Sequence, residues 1–224
     1  MKFTLVVCTY MRPKPLADLL ESVQNQTRYP NEILIIDGST NQETAELFIS
    51  NTIENLKYYL VDASQRGLTK QRNFGIEKVA ESSEVICFLD DDTYLASDYF
   101  EQLMQTYSDY PEALGVGGYI SNESQWEPVS QDYALSLQEF YYDGFKIQDS
   151  SRFILRKRLG LDSNLPPGFS PRYSHGRSIG FLPPSGKTYQ VEQLMGGVAS
   201  YKKEVCRNFK FSTFCITSDS IFNL

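Results

Sequence analysis

The chain has 224 residues, a formal net charge of −7 and four cysteines. That length holds one large domain, or a domain with an appended lobe, and buries a substantial core; the negative balance argues against nucleic acid as a partner. No run approaches the ~18 consecutive apolar residues of a membrane-spanning helix, and the opening MKFTLVVCTYMRPK is too short an apolar stretch for a secretory leader, so the chain reads as cytoplasmic with a peripheral membrane contact left open.

The first half alternates strands and helices. FTLVVCT (3–9) is a short apolar run rich in β-branched residues, suited to a strand buried on both faces. PLADLLESVQNQ follows, with Leu16, Leu19, Leu20 and Val23 at helical spacing and Pro15 near the first turn. EILIID (32–37) predicts a second strand, residues 41–54 a helix, KYYLV (57–61) a third strand and residues 68–81 another helix. EVICFL (84–89) predicts a fourth strand. Ser97 is placed to cap the next helix, whose apolar face carries Phe100, Leu103, Met104 and Tyr107. ALGVGGYI (113–120) reads as a glycine-broken strand. Residues 121–190, rich in aromatics, Pro and Gly, lack periodicity and read as a functional loop or lid. YQVEQLMGGVASYKKEV then returns to strand, glycine turn and helix. Cys8, Cys87, Cys206 and Cys215 form no CxxC pair and have no histidine nearby, which favours reduced thiols over zinc.

Strands alternating with helices predict an α/β fold with a mostly parallel sheet. Ligands of such sheets bind beyond the carboxyl ends of the strands, near the point where strand order reverses. That rule selects Thr9–Arg12, Asp37–Ser39, Asp62–Arg66 and Asp90–Thr93, all just past a strand. At the last of these the sequence is FLDDDTYL. One aspartate suffices for a helix cap or a solvated turn; three at a strand end favour a cation. Carboxylate oxygens suit Mg2+ or Mn2+, and Mg2+ takes only one or two protein carboxylates, completing its shell with water and substrate phosphates. A phosphate-bearing substrate follows. The haloacid-dehalogenase-like phosphatases, with DxDx[TV] after an apolar run, fit poorly, because Tyr94 stands where Thr or Val is needed.

The ordered set VVCTYMRP, ILIIDGST, RGLTKQRNFGI, FLDDDTYL and MGGVASYKKEV resembles the family-2 glycosyltransferases over residues 3 to about 214. The resemblance implies a GT-A type nucleotide-diphosphosugar transferase fold as a single domain over 1–224, with a nucleotide-binding half (1–120) and an acceptor and sugar half (121–224). It implies transfer of a sugar from a nucleotide-diphosphate donor to an acceptor hydroxyl of a glycan, a lipid-linked molecule or a protein, metal-dependent and inverting. By the same resemblance Asp92 is the ligand of Mn2+ or Mg2+, and Asp90 lies near the ribose or the metal-bound phosphate. Asp37 hydrogen-bonds the nucleobase, Thr9 touches base or ribose, and Arg72 lies beside base or phosphates. Each also has a plain structural reading: Asp37 as a turn former before Gly38, Thr9 as a strand-end hydroxyl, Arg72 as a solvated helix charge. Asn73 is placed to tie its helix to the sheet. Gly67 would let the backbone approach the nucleotide, and Gly196 and Gly197 either approach the sugar or make a tight turn. His175 reads as a loop residue and RKR at 156–158 as a solvated face.

The resemblance breaks off near the end. The family's general base comes from an ED.D segment after GYG, expected shortly after FKFSTF (209–214), where this chain reads CITSDSIFNL. No Glu-Asp pair follows, and Asp219 is the only acid there. The domain therefore reads as cut short, by an early stop, a shifted reading frame or as a natural variant form, and no catalytic base is assigned. Two expectations stand: an active transferase whose base is Asp219, an acid from 121–190 or one supplied by a partner; and a remnant that binds the donor without efficient transfer, since losing a general base costs ~10²–10⁴ in rate.

Overall fold

The computed structural model describes residues 1–49, 52–122, 124–130, 132–172 and 175–213. In chain order the elements are β1 (Phe3–Thr9), α1 (Pro13–Gln24), β2 (Glu32–Asp37), α2 (Glu43–Glu46), β3 (Leu56–Leu60), α3 (Leu68–Lys78), β4 (Val85–Asp90), α4 (Tyr99–Asp109), β5 (Gly115–Gly117), β6 (Glu127–Pro128), β7 (Glu139–Tyr142), β8 (Phe145–Gln148), α5 (Ser151–Arg158), β9 (Val198–Lys202) and α6 (Lys203–Asn208). They form two compact units, Met1–Gly118 with the chain from Met195 onward, and Tyr119–Leu194.

The first unit is a six-stranded sheet in the order β3-β2-β1-β4-β9-β5. β1 pairs in parallel with both β2 and β4, and β2 with β3, whereas β9 runs antiparallel to β4 and β5. The chain leaves β1 toward β2 and β3, then returns to the opposite side of β1 as β4. The strand order reverses there, so the carboxyl ends of β1 and β4 frame the crevice. β1, β2 and β4 are almost wholly buried because both faces are covered. On one face Val6, Leu34, Ile36, Ile86 and Phe88 pack with Ile76 and Val79, and with Cys206 and Phe211. Gly75 lets α3 lie close: a Cβ there would stand 2.6 Å from Val6 Cγ1. On the other face Phe3 meets Phe100 of α4, ring centroids 5.0 Å apart. All four residues of the expected α4 stripe, Phe100, Leu103, Met104 and Tyr107, are buried.

Several boundaries differ from expectation. Among the described residues of 41–54 the expected helix is the single turn α2, since Thr44 is its one buried residue and Ile49 is 82% exposed; a nucleated turn with no core face to cover does not propagate. α3 ends at Lys78 rather than 81. Asp98, not Ser97, sits at the N-cap of α4. The 113–120 strand shrinks to β5, and near the two late glycines the strand β9 follows them rather than precedes them. The 121–190 stretch is no structureless loop. EFYYDGFKIQ folds into the hairpin β7–β8, with β6 pairing on the far side of β8. Asp143 and Gly144 have φ of 48° and 85°, the positive pair that a two-residue type I′ turn requires. Behind it the Arg177 guanidinium is stacked between Phe140 and Phe153, 3.9 and 4.1 Å from their centroids, and forks onto the buried Asp149 at 2.5 and 3.0 Å. No helix among the described residues is long and apolar enough to cross a membrane.

A charged group also anchors the amino-terminal edge of the sheet. Glu32, buried, accepts from Lys57 Nζ (2.7 Å), Thr4 Oγ1 (2.9 Å) and the Ala80 N–H (2.9 Å). Burial pushes its carboxyl up, but Lys57 and the two neutral donors together hold it below the ordinary value. Its contribution is therefore fully present above the unfolded carboxylate pKa and lost as pH falls through the lowered folded value. Glu32→Gln is expected to cost about 1–3 kcal/mol at pH 7, because it turns buried donors on one another, and the gap to the parent should start closing below about pH 4. Urea midpoints at pH 7 and pH 3.5 check this; an equal gap at both would refute it.

Candidate functional site

Why three aspartates follow β4 is answered by where the backbone sends them. Asp90 is the last residue of the strand, and its carbonyl accepts from the Thr93 N–H at 3.2 Å, so Asp91 and Asp92 form the middle of a tight turn. The three side chains part. Asp91 turns inward and is 5% exposed; it accepts from Thr9 Oγ1 at 2.6 Å and from Arg12 at 2.8 Å. Asp92 turns outward, with its side chain 55% exposed, and accepts from the other nitrogen of the Arg12 fork at 2.9 Å. Asp90 leans the third way, toward Arg72 at 3.1 Å. Two guanidinium groups thus compensate three carboxylates, and burial still pushes the Asp91 carboxyl up against the pull of Thr9 and Arg12. Arg12, held first by its bond to Asp92 and then by the field of Asp91, has its own pKa raised.

The floor of the crevice is tied together by polar groups at the strand ends. Asp37 is fully buried; Tyr58 Oη donates to one of its oxygens and the Ser39 N–H to the other, each at 2.7 Å. The Ser39 hydroxyl in turn accepts from the Met11 N–H at 2.8 Å, fixing the loop after β1 where Met11 has φ 57°. The Gln71 side-chain amide, at the start of α3, donates to the carbonyls of Thr9 and Ile36, the two strand ends flanking that loop. Just before it Gly67 has φ 112°, a conformation that favours glycine.

Arg72 is buried, not a solvated helix charge. Its guanidinium lies 5.9 Å from the Phe88 centroid and 5.4 Å from that of Phe211, and it also donates to the Gly196 carbonyl at 2.9 Å. Next to it Asn73 makes a reciprocal pair with the Phe211 backbone, both bonds 2.9 Å, so the helix is fastened to the chain beyond α6. The close approach at Gly197 is to Asp90: a Cβ there would stand 2.3 Å from Asp90 Oδ2.

Of the residues singled out from sequence, Thr9, Asp90 and Asp92 stand at the junction of β1 and β4, with Arg72 behind Asp90; Asp37 lies one strand over, at the end of β2. His175 is exposed in the second unit, and Asp219 falls outside the described residues. Sequence reasoning placed Arg12 at the crevice within Thr9–Arg12 but gave it no role, which shows only once the two loops are adjacent, and it missed Tyr58, which supports Asp37 from β3. Tyr10, 52% exposed beside the crevice, carried no periodic signal.

A hard divalent ion is matched by Asp92, and by Asp90, whose side chain is 47% exposed; Asp91 is buried and committed to Thr9 and Arg12. Among the described residues no three His, Cys, Asp or Glu side chains are grouped to hold a metal. The donor set fits an ion taking one or two protein carboxylates and finding its other ligands on substrate phosphates and water.

Residues 4–163 match the sequence model of Glycosyl transferase family 2. The chain belongs to this family. Curated relatives include the O-antigen chain rhamnosyltransferase of Salmonella typhimurium, 30% identical over 162 residues, and the glucosyl-dolichyl phosphate glucuronosyltransferase of Haloferax volcanii, 30% identical over 145 residues. The matches cover 72% and 63% of this family-2 chain but 48% and 44% of those proteins, so it spans about half their length. The fold is shared with the mannosyltransferase of Pyrobaculum calidifontis solved with GDP-Man and Mn2+, at a TM-score of 0.58 and 16% identity, over 97% of this chain and 49% of that one. The GT-A expectation therefore holds for the mixed, mostly parallel α/β architecture.

The contact of Gly197 with Asp90 gives a double-mutant test. Gly197→Ala should cost about 1 kcal/mol by pushing the Asp90 carboxylate off Arg72. In an Asp90→Ala background, where no carboxylate is left to collide with, the same change should cost close to nothing. Urea unfolding of the four proteins reads the coupling; additive costs would refute it.

Proposed function

We propose that the crevice at the ends of β1 and β4 binds a nucleotide-diphosphate sugar, and that the protein transfers the sugar, with inversion, to an acceptor hydroxyl in the presence of Mn2+ or Mg2+. The observation that carries the reading is the three-way parting of Asp90, Asp91 and Asp92 at the reversal of strand order, which leaves Asp92 exposed. Family membership supports the transferase class. The names of the relatives, with O-antigen and dolichyl phosphate among them, support a glycan or lipid-linked acceptor.

In this reading Asp92 holds the ion and Asp90 faces the ribose or the bound phosphate. The ion, when present, supplies positive charge to the leaving nucleoside diphosphate as the anomeric bond breaks, which acts on the transition state more than on the ground state. Asp37, fully buried between Tyr58 and the Ser39 N–H, would meet the nucleobase where one of those two partners gives way to it. Thr9 keeps Asp91 in place beneath them, and Arg72 steadies Asp90 from below. The aromatic second unit is the proposed acceptor side. An alcohol needs a base to take its proton, and that base is left unassigned.

The test is thermal stabilisation by UDP or GDP with Mn2+, beside transfer and hydrolysis of UDP- and GDP-sugars. The parent should gain several degrees with ion and nucleotide together, and Asp92→Asn should lose the Mn2+-dependent part of that shift. An unchanged shift in Asp92→Asn would refute the metal assignment. Stabilisation without turnover would mark a donor-binding module rather than an active transferase.

A further inference from the structure

The guanidinium of Arg12 occupies the position a metal cation would be drawn to. One of its nitrogens donates to Asp91 Oδ1 at 2.8 Å and the other to Asp92 Oδ2 at 2.9 Å. The planar fork suits two carboxylates on adjacent residues, which a point charge such as Lys could not bridge in the same way. A divalent ion approaching Asp92 therefore meets a positive charge already bonded to that carboxylate.

The local geometry lets one nitrogen of the Arg12 fork release the exposed Asp92 while the other keeps the buried Asp91. Its side chain is 46% exposed. The backbone on either side is fixed independently, at Met11 by Ser39 and at Pro13 by the start of α1. Asp91 keeps the Thr9 hydroxyl whether or not Arg12 is there. Asp90 has Arg72 as its own counterion, so it does not need Arg12. Lys14, two residues on, is exposed and makes no ion pair with the triplet.

We infer that Arg12 is a resident counterion that makes metal and nucleotide bind as a unit. Without nucleotide, the guanidinium competes with the ion for Asp92 and keeps ion affinity low. A nucleoside diphosphate offers phosphate oxygens to the same fork; Arg12 transfers to them and Asp92 is released to the ion. The coupling is reciprocal, so the ion favours the nucleotide by the same factor. The inference rests on the donor-site reading above and deepens it, by naming the residue that orders ligand entry.

Mn2+ binding, followed by the electron paramagnetic resonance of the free ion, tests it on the full chain with and without UDP or GDP. Nucleotide binding in EDTA is measured alongside. Arg12→Gln should bind Mn2+ alone roughly fivefold more tightly, as loss of a competing ion pair allows, and should bind the nucleotide in EDTA more weakly. Arg12→Lys should fall between, and Lys14→Gln should match the parent, which separates local competition from general charge. A lower thermal midpoint with both affinities unchanged would make Arg12 a loop tether and overturn the inference. Mn2+ binding equal in parent and Arg12→Gln would overturn it while leaving the donor site standing. Absence of Mn2+ binding in every variant, even with nucleotide, would bring down both.

Discussion

The structure depends on placing negative charge at the end of a buried parallel sheet. β1 and β4 are covered on both faces, so any carboxylate at their junction leaves water on entering the fold, and such a group is costly unless it is paired and hydrogen-bonded. The chain meets this by giving each aspartate a different environment. Asp91 takes the buried position with a hydroxyl and a guanidinium, Asp90 takes a second guanidinium, and Asp92 remains in solvent. One turn after β4 thus yields a buried carboxylate and an exposed one at adjacent positions.

This division explains why the sequence was informative about place and less so about role. Apolar runs rich in β-branched residues marked β1, β2 and β4 nearly to the residue, because burial on both faces demands such runs. The stripe Phe100, Leu103, Met104 and Tyr107 marked α4 for the same reason. The position of the crevice followed from topology alone. Residue roles did not, because they depend on contacts between distant segments. Asp90 and Arg72 look like independent charges until α3, packed on β1 and β2, sends Arg72 across to the end of β4. Arg12, placed at the crevice by topology, shows its partners only when the loops after β1 and β4 meet, 79 positions apart in the chain.

Other misreadings have local causes. The expectation of a helix over 41–54 did not ask what the helix would cover, and among the described residues there only Thr44 found a buried place. The expectation that 121–190 carries no regular elements overlooked Asp143-Gly144, a dipeptide that fixes a hairpin when flanked by strand-forming residues such as Phe140, Tyr142, Phe145 and Ile147. Aromatic density there served a small core instead, with Arg177 as its charged centre. Gly197 was legible as a close approach, but the partner is a carboxylate of the same protein.

The strand order carries a consequence for synthesis on the ribosome. β9 lies between β4 and β5 in the sheet, yet it is made about a hundred residues after β4. While the second unit is being translated, roughly 4–15 s at ordinary elongation rates, the far side of β4 is an unpaired edge and β5 has no neighbour to join. An open apolar edge of that kind invites pairing with other chains. The nascent protein therefore passes through an interval in which that edge is open to mispairing, and the interval closes when Val198–Lys202 slots in.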